Sequence, residues 1–230
     1  MNATAILVGA GSGVRFGNSN KAFALLAGRP VVAYSLDAFQ QSASIERIVL
    51  VAGEHTLSEA RLLAVTGRWT KLDRVIAGGK RRQDSVRNGL ASIEHRTGHV
   101  AIHDAARPLV RIADIDRCVS AAAISGAAIL AVPVTDTLKR VADNRIVETV
   151  SRDNLWAAQT PQVFATELLE KAFRTAEEND LTVTDEASLF EAVGIDVVIV
   201  EGSPANLKIT VPADLALAEA MIAQAEDERS

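Results

Sequence analysis

The chain has 230 residues, of which 48% are hydrophobic, and this is enough to bury a full core, so we predict one domain over residues 1–230. The formal net charge of −5 gives no electrostatic footprint for nucleic acid or for an anionic membrane surface. A single cysteine, Cys118, excludes an internal disulfide, and no apolar run reaches the roughly 18 residues of a membrane span, so we expect a cytoplasmic protein.

Short β-rich runs alternate with helical patterns along most of the chain. Buried parallel strands are predicted at residues 5–8, 47–52, 74–77, 100–103 and 127–133, and one further strand at residues 197–200. Helices are predicted over residues 31–41, behind Arg81 and Arg82, and from Pro212 onward. This series of βαβ units predicts an α/β fold, a Rossmann-like doubly wound sheet with helices on both faces.

Two further segments depart from this series. Residues 138–150 read as two short strands around a turn near residues 142–145, which predicts a β-hairpin. We expect it to leave the body of the domain as a protruding arm over about residues 137–152. Residues 207–209 are predicted as one more strand, on which Lys208 points away from the core face of its neighbours.

The first strand opens into a glycine-rich loop, Gly9-Ala10-Gly11-Ser12-Gly13-Val14-Arg15-Phe16-Gly17, and Lys21 follows it. Glycines let backbone N–H groups approach an anion, and Arg15 and Lys21 add positive charge. We therefore predict a phosphate site here, rather than a surface turn with two solvated cations. The loop is not a Walker loop, because Asn18 follows Gly17, and it lacks the third glycine of the dinucleotide-binding turn.

Two more clusters follow predicted strands. In residues 78–85, two glycines precede the start of a helix, whose backbone amides can bind an anion or the edge of a base. The alternative is that Asp84 or Ser85 only caps the helix. In residues 103–108, Asp104 stands at a strand end, where a carboxylate beside a phosphate can hold Mg²⁺. The alternative is an ion pair of Asp104 with Arg107 that stabilises a turn. His103 is predicted to be a packed strand residue rather than a base.

Eight stretches in the same order resemble the 2-C-methyl-D-erythritol 4-phosphate cytidylyltransferase family. They are residues 10–16 with Lys21, 84–86, 103–108, 136–139, 149–152 with 155–156, 159–164, 184–188 and 201–210. The chain departs from the family pattern at Val8-Gly9, at Ala22-Phe23 and at Lys80. The resemblance implies a fold of the glycosyltransferase-A or nucleotide-diphospho-sugar transferase type.

The resemblance also implies the reaction. A cytidylyl group passes from CTP to 2-C-methyl-D-erythritol 4-phosphate and pyrophosphate is released, with Mg²⁺ as cofactor, in the non-mevalonate isoprenoid pathway. The catalytic residues it implies are Arg15, Lys21, Arg152 and Lys208, and it places the metal on Asp104. The nucleotide contacts it implies come from Ala10, Gly11, Gly13, Gly79, Ser85, Asp104, Ala105 and Arg107.

On the acceptor side, the resemblance implies contacts from Thr160, Thr184, Lys208 and Arg152, with Thr137 and Arg152 contributed by a neighbouring subunit's arm. A two-stranded ribbon is marginal alone in water, so we expect a symmetric homodimer through the arms. Two alternatives stay open at this point: a cytidylyltransferase for another polyol phosphate, such as ribitol 5-phosphate, and a non-catalytic nucleotide-binding module.

Overall fold

Strands and helices alternate along the computed structural model, which describes residues 2–11, 20–94 and 98–227. The strands are β1 Ala3–Gly9, β2 Leu25–Leu26, β3 Arg29–Pro30, β4 Ile45–Ala52, β5 Leu72–Ala77, β6 His99–Asp104, β7 Ala127–Pro133, β8 Leu138–Ala142, β9 Arg145–Val150, β10 Trp156–Ala165 and β11 Val198–Glu201. The helices are α1 Val31–Gln41, α2 Leu57–Thr66, α3 Arg82–Ala91, α4 Ile112–Ser125, α5 Thr166–Glu178, α6 Glu186–Ala192 and α7 Ala213–Asp227.

Within those ranges, seven strands form one sheet in the order β11-β7-β10-β6-β1-β4-β5. β1 pairs in parallel with β4 on one side and with β6 on the other, β4 pairs in parallel with β5, and β7 with β11. β10 lies antiparallel between β6 and β7. The predicted α/β fold with a mainly parallel sheet is confirmed, with one antiparallel strand that the sequence did not predict.

Two apolar clusters cover the two faces of this sheet. On one face, Leu7 of β1 belongs to a cluster with Leu36 of α1 and Ile115 of α4. On the other face, the preceding residue of the strand, Ile6, belongs to a cluster with Val86 of α3 and other residues from β10, α5 and α6. Successive side chains of a strand point to opposite faces, so β1 is buried on both sides and reads as a continuous apolar run. None of the helices in the described ranges combines the length and apolar composition needed to cross a bilayer.

The predicted hairpin is present as a separate two-stranded sheet. β8 and β9 pair antiparallel, from Leu138 opposite Val150 to Ala142 opposite Arg145. Asp143 and Asn144 join them with φ values of 47° and 59°. Positive φ at both central residues is what a tight two-residue hairpin turn requires, and Asn and Asp tolerate it. Most of the hairpin is exposed, as expected for an arm.

The predicted strand at residues 207–209 is wrong. This segment is irregular, and its backbone N–H at Ile209 donates to the carbonyl oxygen of Ala106 at 2.8 Å. Ile209 is fully buried with Ala106 and Ala218 in a third, smaller apolar cluster. The alternation of apolar and polar residues at positions 207–209 therefore comes from packing against α7 and not from strand pairing in a sheet.

Candidate active site

A cavity of about 650 Å³ opens at the carboxyl ends of the central strands β1, β4, β5 and β6. The segments that follow those strands form its wall, together with Asn20, Lys21 and Lys208. This edge of an open α/β sheet is where such proteins bind ligands. The fold therefore brings parts of all three predicted clusters to one cavity, although they are far apart in the sequence.

Lys21 is positioned by its neighbour Asn20. The Asn20 side-chain amide donates to the carbonyl oxygen of Gly9 at 2.8 Å and to Thr56 Oγ1 at 3.2 Å. Its oxygen accepts from the backbone N–H of Ala22 at 3.0 Å. One side chain thus ties the end of β1 and the segment after β4 to the backbone around Lys21. Two other predicted loop residues, Gly13 and Arg15, lie outside the described residues.

The glycine pair before α3 allows two loops to touch. A Cβ atom at Gly78 would lie 2.3 Å from the Cβ of Ala10 and 2.8 Å from Ser85 Oγ, which no side chain tolerates. Ser85 Oγ accepts from the Gly79 N–H at 3.0 Å, and the Asp84 carboxylate accepts from the backbone N–H of Arg81 at 3.1 Å. Asp84 therefore caps the helix, while Gly79 and Ser85 line the cavity.

Asp104, at the end of β6, is surrounded by cations. Its Oδ1 accepts from Arg82 Nε at 3.1 Å, its Oδ2 lies 2.7 Å from Lys208 Nζ, and Arg107 Nε is 3.9 Å away. Burial alone raises the pKa of Asp104, but the charges of Arg82 and Lys208 outweigh it and hold this pKa well below its ordinary value. Asp104 is therefore ionised at neutral pH, and its pairing with Arg107 is the weakest of three.

Arg82, which is partly exposed on the cavity wall, and the fully buried Glu186 form an ion pair that sequence reasoning missed. Arg82 Nη1 donates to both Glu186 oxygens, at 2.8 and 2.7 Å, while Nε of the same guanidinium donates to Asp104. Glu186 is fully buried at the start of α6, and this burial raises its pKa even though Arg82 opposes the shift. Since 104 positions separate the two residues, only the tertiary fold reveals the pair.

Behind Asp104, a chain of hydrogen bonds fixes its backbone. Thr160 Oγ1 accepts from the backbone N–H of Asp104 at 3.0 Å and lies 3.0 Å from His103 Nδ1. The hydroxyl therefore donates to Nδ1, and His103 Nε2 donates to the carbonyl oxygen of Arg107 at 3.2 Å. Burial lowers the pKa of His103 to about 4, so the ring is neutral near pH 7. His103 is a packed strand residue, as predicted.

Arg107 holds the segment that carries Lys208. Its Nη1 donates to the carbonyl oxygen of Asn206 at 2.7 Å, and the Asn206 side-chain amide donates to the carbonyl oxygen of Thr160 at 2.9 Å. Burial lowers the pKa of Arg107, although Asp104 opposes this. The irregular segment that replaces the predicted strand is thus fixed from two sides, and this places Lys208 against Asp104.

Comparison with known proteins identifies the family of this chain. The sequence model of the family IspD, 2-C-methyl-D-erythritol 4-phosphate cytidylyltransferase, matches residues 3–224. An enzyme of that name from Halalkalibacterium halodurans is 41% identical over 227 residues, covering 98% of this chain and 99% of the relative. One from Prochlorococcus marinus is 44% identical over 220 residues, covering 95% and 97%. The chain belongs to this family.

Solved structures agree with the assignment. The crystal structure of 2-C-methyl-D-erythritol 4-phosphate cytidylyltransferase from Francisella tularensis has a TM-score of 0.81 at 35% identity, covering 95% of this chain and 98% of that one. The corresponding structure from Thermus thermophilus has a TM-score of 0.79 at 32% identity, covering 96% and 98%. This member of the cytidylyltransferase family is therefore a nucleotidyltransferase with the fold that the resemblance implies, and the ribitol 5-phosphate alternative is not favoured.

The cavity of this cytidylyltransferase holds some of the predicted site residues and not others. Those on its wall are Ala10, Gly11, Lys21, Gly79, Ser85, Asp104 and Lys208. Ala105, Arg107 and Thr160 are not part of that wall. Ala105 is fully buried, and Thr160 is buried with its hydroxyl bonded to the backbone of Asp104 and to His103.

Three predicted acceptor-side residues lie on the surface, apart from the cavity wall of their own chain. Thr137, Arg152 and Thr184 are all exposed. Arg152 donates to the carbonyl oxygen of Thr135 at the base of the arm. Thr137 and Arg152 flank the hairpin at its two ends, so both lie at the base of the arm and not on the cavity wall.

Proposed function

We propose that this chain transfers the cytidylyl group of CTP to the phosphate of 2-C-methyl-D-erythritol 4-phosphate, in the non-mevalonate route to isoprenoids. The observation that carries the proposal is the cavity at the sheet edge, where Lys21, Asp104 and Lys208 converge in a chain of this family. We place the reaction in the cytoplasm, because the one cysteine, Cys118, is buried and free and needs no oxidising compartment.

The reaction is an in-line attack of an acceptor phosphate oxygen on the α-phosphorus of CTP. The new P–O bond forms as the bond to pyrophosphate breaks, and negative charge collects on a five-coordinate phosphorus. Lys21 supplies a fixed positive charge to that state, which is worth roughly 3 kcal/mol by analogy with other transition-state donors. On the family resemblance alone, Arg15 has the same role.

The attacking phosphate is already an anion, so the reaction needs no strong general base. The neutral, buried His103 agrees with this, because its two ring nitrogens are occupied by Thr160 and by the backbone of Arg107. Lys208 is the cation for the acceptor phosphate. Its side chain is 37% exposed and reaches the buried Asp104 carboxylate from the cavity wall.

Mg²⁺ is the proposed cofactor, with Asp104 as its protein ligand. In the described part of the chain, no three His, Cys, Asp or Glu side chains gather to bind a metal by themselves. A single ionised carboxylate on the cavity wall still suits Mg²⁺, which often takes one or two carboxylates and completes its shell with substrate phosphates and water. When bound, the metal neutralises phosphate charge. The donor set fits a metal that arrives with the nucleotide.

A change at Asp104 tests this part of the proposal. Asp104→Asn is expected to keep the fold and to lose most Mg²⁺-dependent turnover, because a neutral amide is a poorer Mg²⁺ ligand. The measurements are the initial rate against Mg²⁺ concentration and the circular dichroism spectrum. Asp73→Asn, at a surface position outside the cavity, is the control. An unchanged Mg²⁺ dependence in Asp104→Asn would mean that Asp104 only pairs with Arg82 and Lys208.

The proposed functional unit is a homodimer joined by the arms. Val141, Ile146 and Val147 are 55%, 66% and 61% exposed on the hairpin, and an isolated ribbon of this kind is marginal in water. A second arm offers the same apolar surface. The exposed positions of Thr137 and Arg152 are consistent with an acceptor site in the partner subunit.

The overall proposal is tested by pyrophosphate release from CTP and Mg²⁺ with two acceptors side by side. Release with 2-C-methyl-D-erythritol 4-phosphate and much slower release with ribitol 5-phosphate would support it. The reverse preference would make the chain a polyol phosphate cytidylyltransferase. Release with neither acceptor, from protein whose binding of CTP is verified, would indicate a non-catalytic nucleotide-binding module.

A further inference from the structure

We infer that Arg82, anchored by Glu186, is a positioning residue that holds the Asp104 carboxylate in place at the cavity wall. The inference rests on the proposed role of Asp104 in metal binding. It adds two residues, one of them fully buried and outside the cavity wall, to those that the reaction needs.

The geometry is a three-residue bridge. One guanidinium contacts two carboxylates: Nη1 lies 2.8 and 2.7 Å from the Glu186 oxygens, and Nε lies 3.1 Å from Asp104 Oδ1. A planar guanidinium held at one edge by a carboxylate has little rotational freedom at the other edge. The Asp104 side chain is therefore restrained through Oδ1, while Oδ2 contacts Lys208.

Glu186 is itself firmly held, so it can act as an anchor. The Gln162 side-chain amide of β10 donates to the Asp185 carboxylate at 2.8 Å, and its oxygen accepts from the backbone N–H of Ala187 at 3.2 Å. Asp185 also accepts from the backbone N–H of Ser188 at 3.1 Å and caps α6. These bonds fix the residues on both sides of Glu186 to the central sheet.

Charge supports the same role. Asp104 meets three cations, from Arg82, Arg107 and Lys208, and without a counter-charge such a group would repel Mg²⁺. Glu186 supplies the second negative charge at Arg82. Loss of this charge is expected to loosen Asp104 and to leave its surroundings more positive, and both effects weaken the binding of a divalent cation.

The test compares two Arg–Glu pairs that α3 makes with later helices. Glu186→Gln removes the anchor charge of Arg82 at nearly constant size. Glu177→Gln does the same to the exposed Arg87–Glu177 pair, at 2.9 Å, and is the control. Free Mn²⁺ is followed by electron paramagnetic resonance in mixtures of protein and CTP, and kcat is measured separately. Glu186→Gln is expected to weaken Mn²⁺ binding at least fivefold and to lower kcat at least tenfold, and Glu177→Gln to change neither by more than twofold.

If Glu186→Gln does not fold, Arg82→Lys takes its place, because a single ammonium keeps the charge but does not bridge both carboxylates in the same geometry. It is expected to weaken Mn²⁺ binding by the same factor. One outcome would overturn only the positioning role of Arg82 and Glu186. In it, the folded variant of either residue keeps the wild-type Mn²⁺ affinity and kcat, while Asp104→Asn binds Mn²⁺ more weakly. Wild-type Mn²⁺ binding in Asp104→Asn as well would overturn both that role and the proposed metal role of Asp104.

Discussion

The cavity floor consists of Asp104 with Arg82, Glu186 and His103 packed around it, and it differs from the hairpin arm in how its charged groups are placed. On the floor, Asp104 and Glu186 are buried, and Arg82 pairs with both inside one chain. On the arm, an exposed ion pair of Arg140 with Glu148 crosses two strands whose apolar side chains also face outward. These ion pairs of the floor are thus formed within one subunit. The arm, in contrast, has unburied apolar surface that a second copy can cover.

The two regions should therefore fail differently. Removal of one partner from a buried ion pair typically costs about 3–5 kcal/mol, because it leaves an uncompensated charge, while an exposed pair contributes about 0–1 kcal/mol. Changes on the floor should affect turnover and stability in every subunit. Changes on the arm should leave the subunit folded and affect its assembly. The four predictions that follow use this contrast.

The largest effect is expected in the cavity itself. Lys21→Ala should lower kcat by about 10²-fold or more while CTP affinity falls much less, because a charge that contacts the developing five-coordinate phosphorus acts on the rate more than on the ground state. Steady-state kinetics and equilibrium CTP binding measure the two quantities. The same result is expected for Arg15→Ala.

The control for Lys21→Ala is Lys171→Ala, which removes an exposed lysine of α5 that is not part of the cavity wall. It should behave as wild type. Equal losses of turnover and CTP affinity in Lys21→Ala would contradict a role specific to the transition state.

The second prediction concerns the free energy of unfolding, which should depend on pH through the buried His103. The pKa of His103 is about 4 in the folded chain, below the ordinary 6.5 that applies after unfolding. Between these two pH values the unfolded chain binds a proton at His103 that the folded chain does not. The free energy of unfolding is therefore unaffected by this group above pH 6.5 and falls as the pH drops toward 4. This one buried group should remove about 3 kcal/mol of unfolding free energy across that window. Denaturant titrations at several pH values measure it.

His103→Gln should show a smaller loss between pH 6.5 and 4 than wild type, although it will be less stable at neutral pH. The control is His55→Gln, which changes an exposed histidine at the cavity wall and should retain the wild-type slope. A wild-type slope in His103→Gln would show that the acid sensitivity arises elsewhere.

The sequence predicted the parts of the fold that depend on local pattern. Apolar runs predicted the parallel strands, because β1 and β4 are buried on both faces. The polar turn at Asp143 predicted the hairpin. β10 was missed because Pro161 interrupts it, and its pairing with β7 is irregular between Ala158 and Gln162. Proline in a central strand argues against a strand in any single-sequence analysis.

The candidate site also has residues that local sequence predicts and residues that only long-range packing brings together. Gly79 and Asp104 closely follow predicted strands, and Lys21 follows the loop after the first strand. The rule for open α/β sheets therefore predicts that they meet at one edge, where they line the cavity. The resemblance implies a contact of Thr160 with the acceptor phosphate, and this stays a prediction. The hydrogen bonds of its hydroxyl to the backbone of Asp104 and to His103 depend on the packing of β10 on β6, which the sequence does not reveal. The pair of Arg82 with Glu186 depends on the same long-range packing, so no local signal marked it.

A smaller effect is expected on the arm. Ile146→Ser should weaken dimerisation at least tenfold, because burial of an isoleucine side chain contributes about 2 kcal/mol. Sedimentation over a range of protein concentrations measures the change. Ile124→Ser is the control, since Ile124 is 91% exposed on α4, away from the arm. Equal dissociation constants for wild type and Ile146→Ser would place the interface elsewhere.

The smallest effect distinguishes a shared acceptor site from one completed within its own chain. Arg152→Ala and Lys21→Ala subunits are each expected to be nearly inactive alone. In a fully exchanged equal mixture, half of the dimers are mixed, and each mixed dimer has one pocket with both residues intact and one with both lesions. Activity near one quarter of wild type is therefore expected. Sedimentation only as a monomer, or no recovery of activity after verified subunit exchange, would contradict a shared acceptor site. Arg152 would then have to leave the carbonyl oxygen of Thr135 and reach the acceptor phosphate of its own chain.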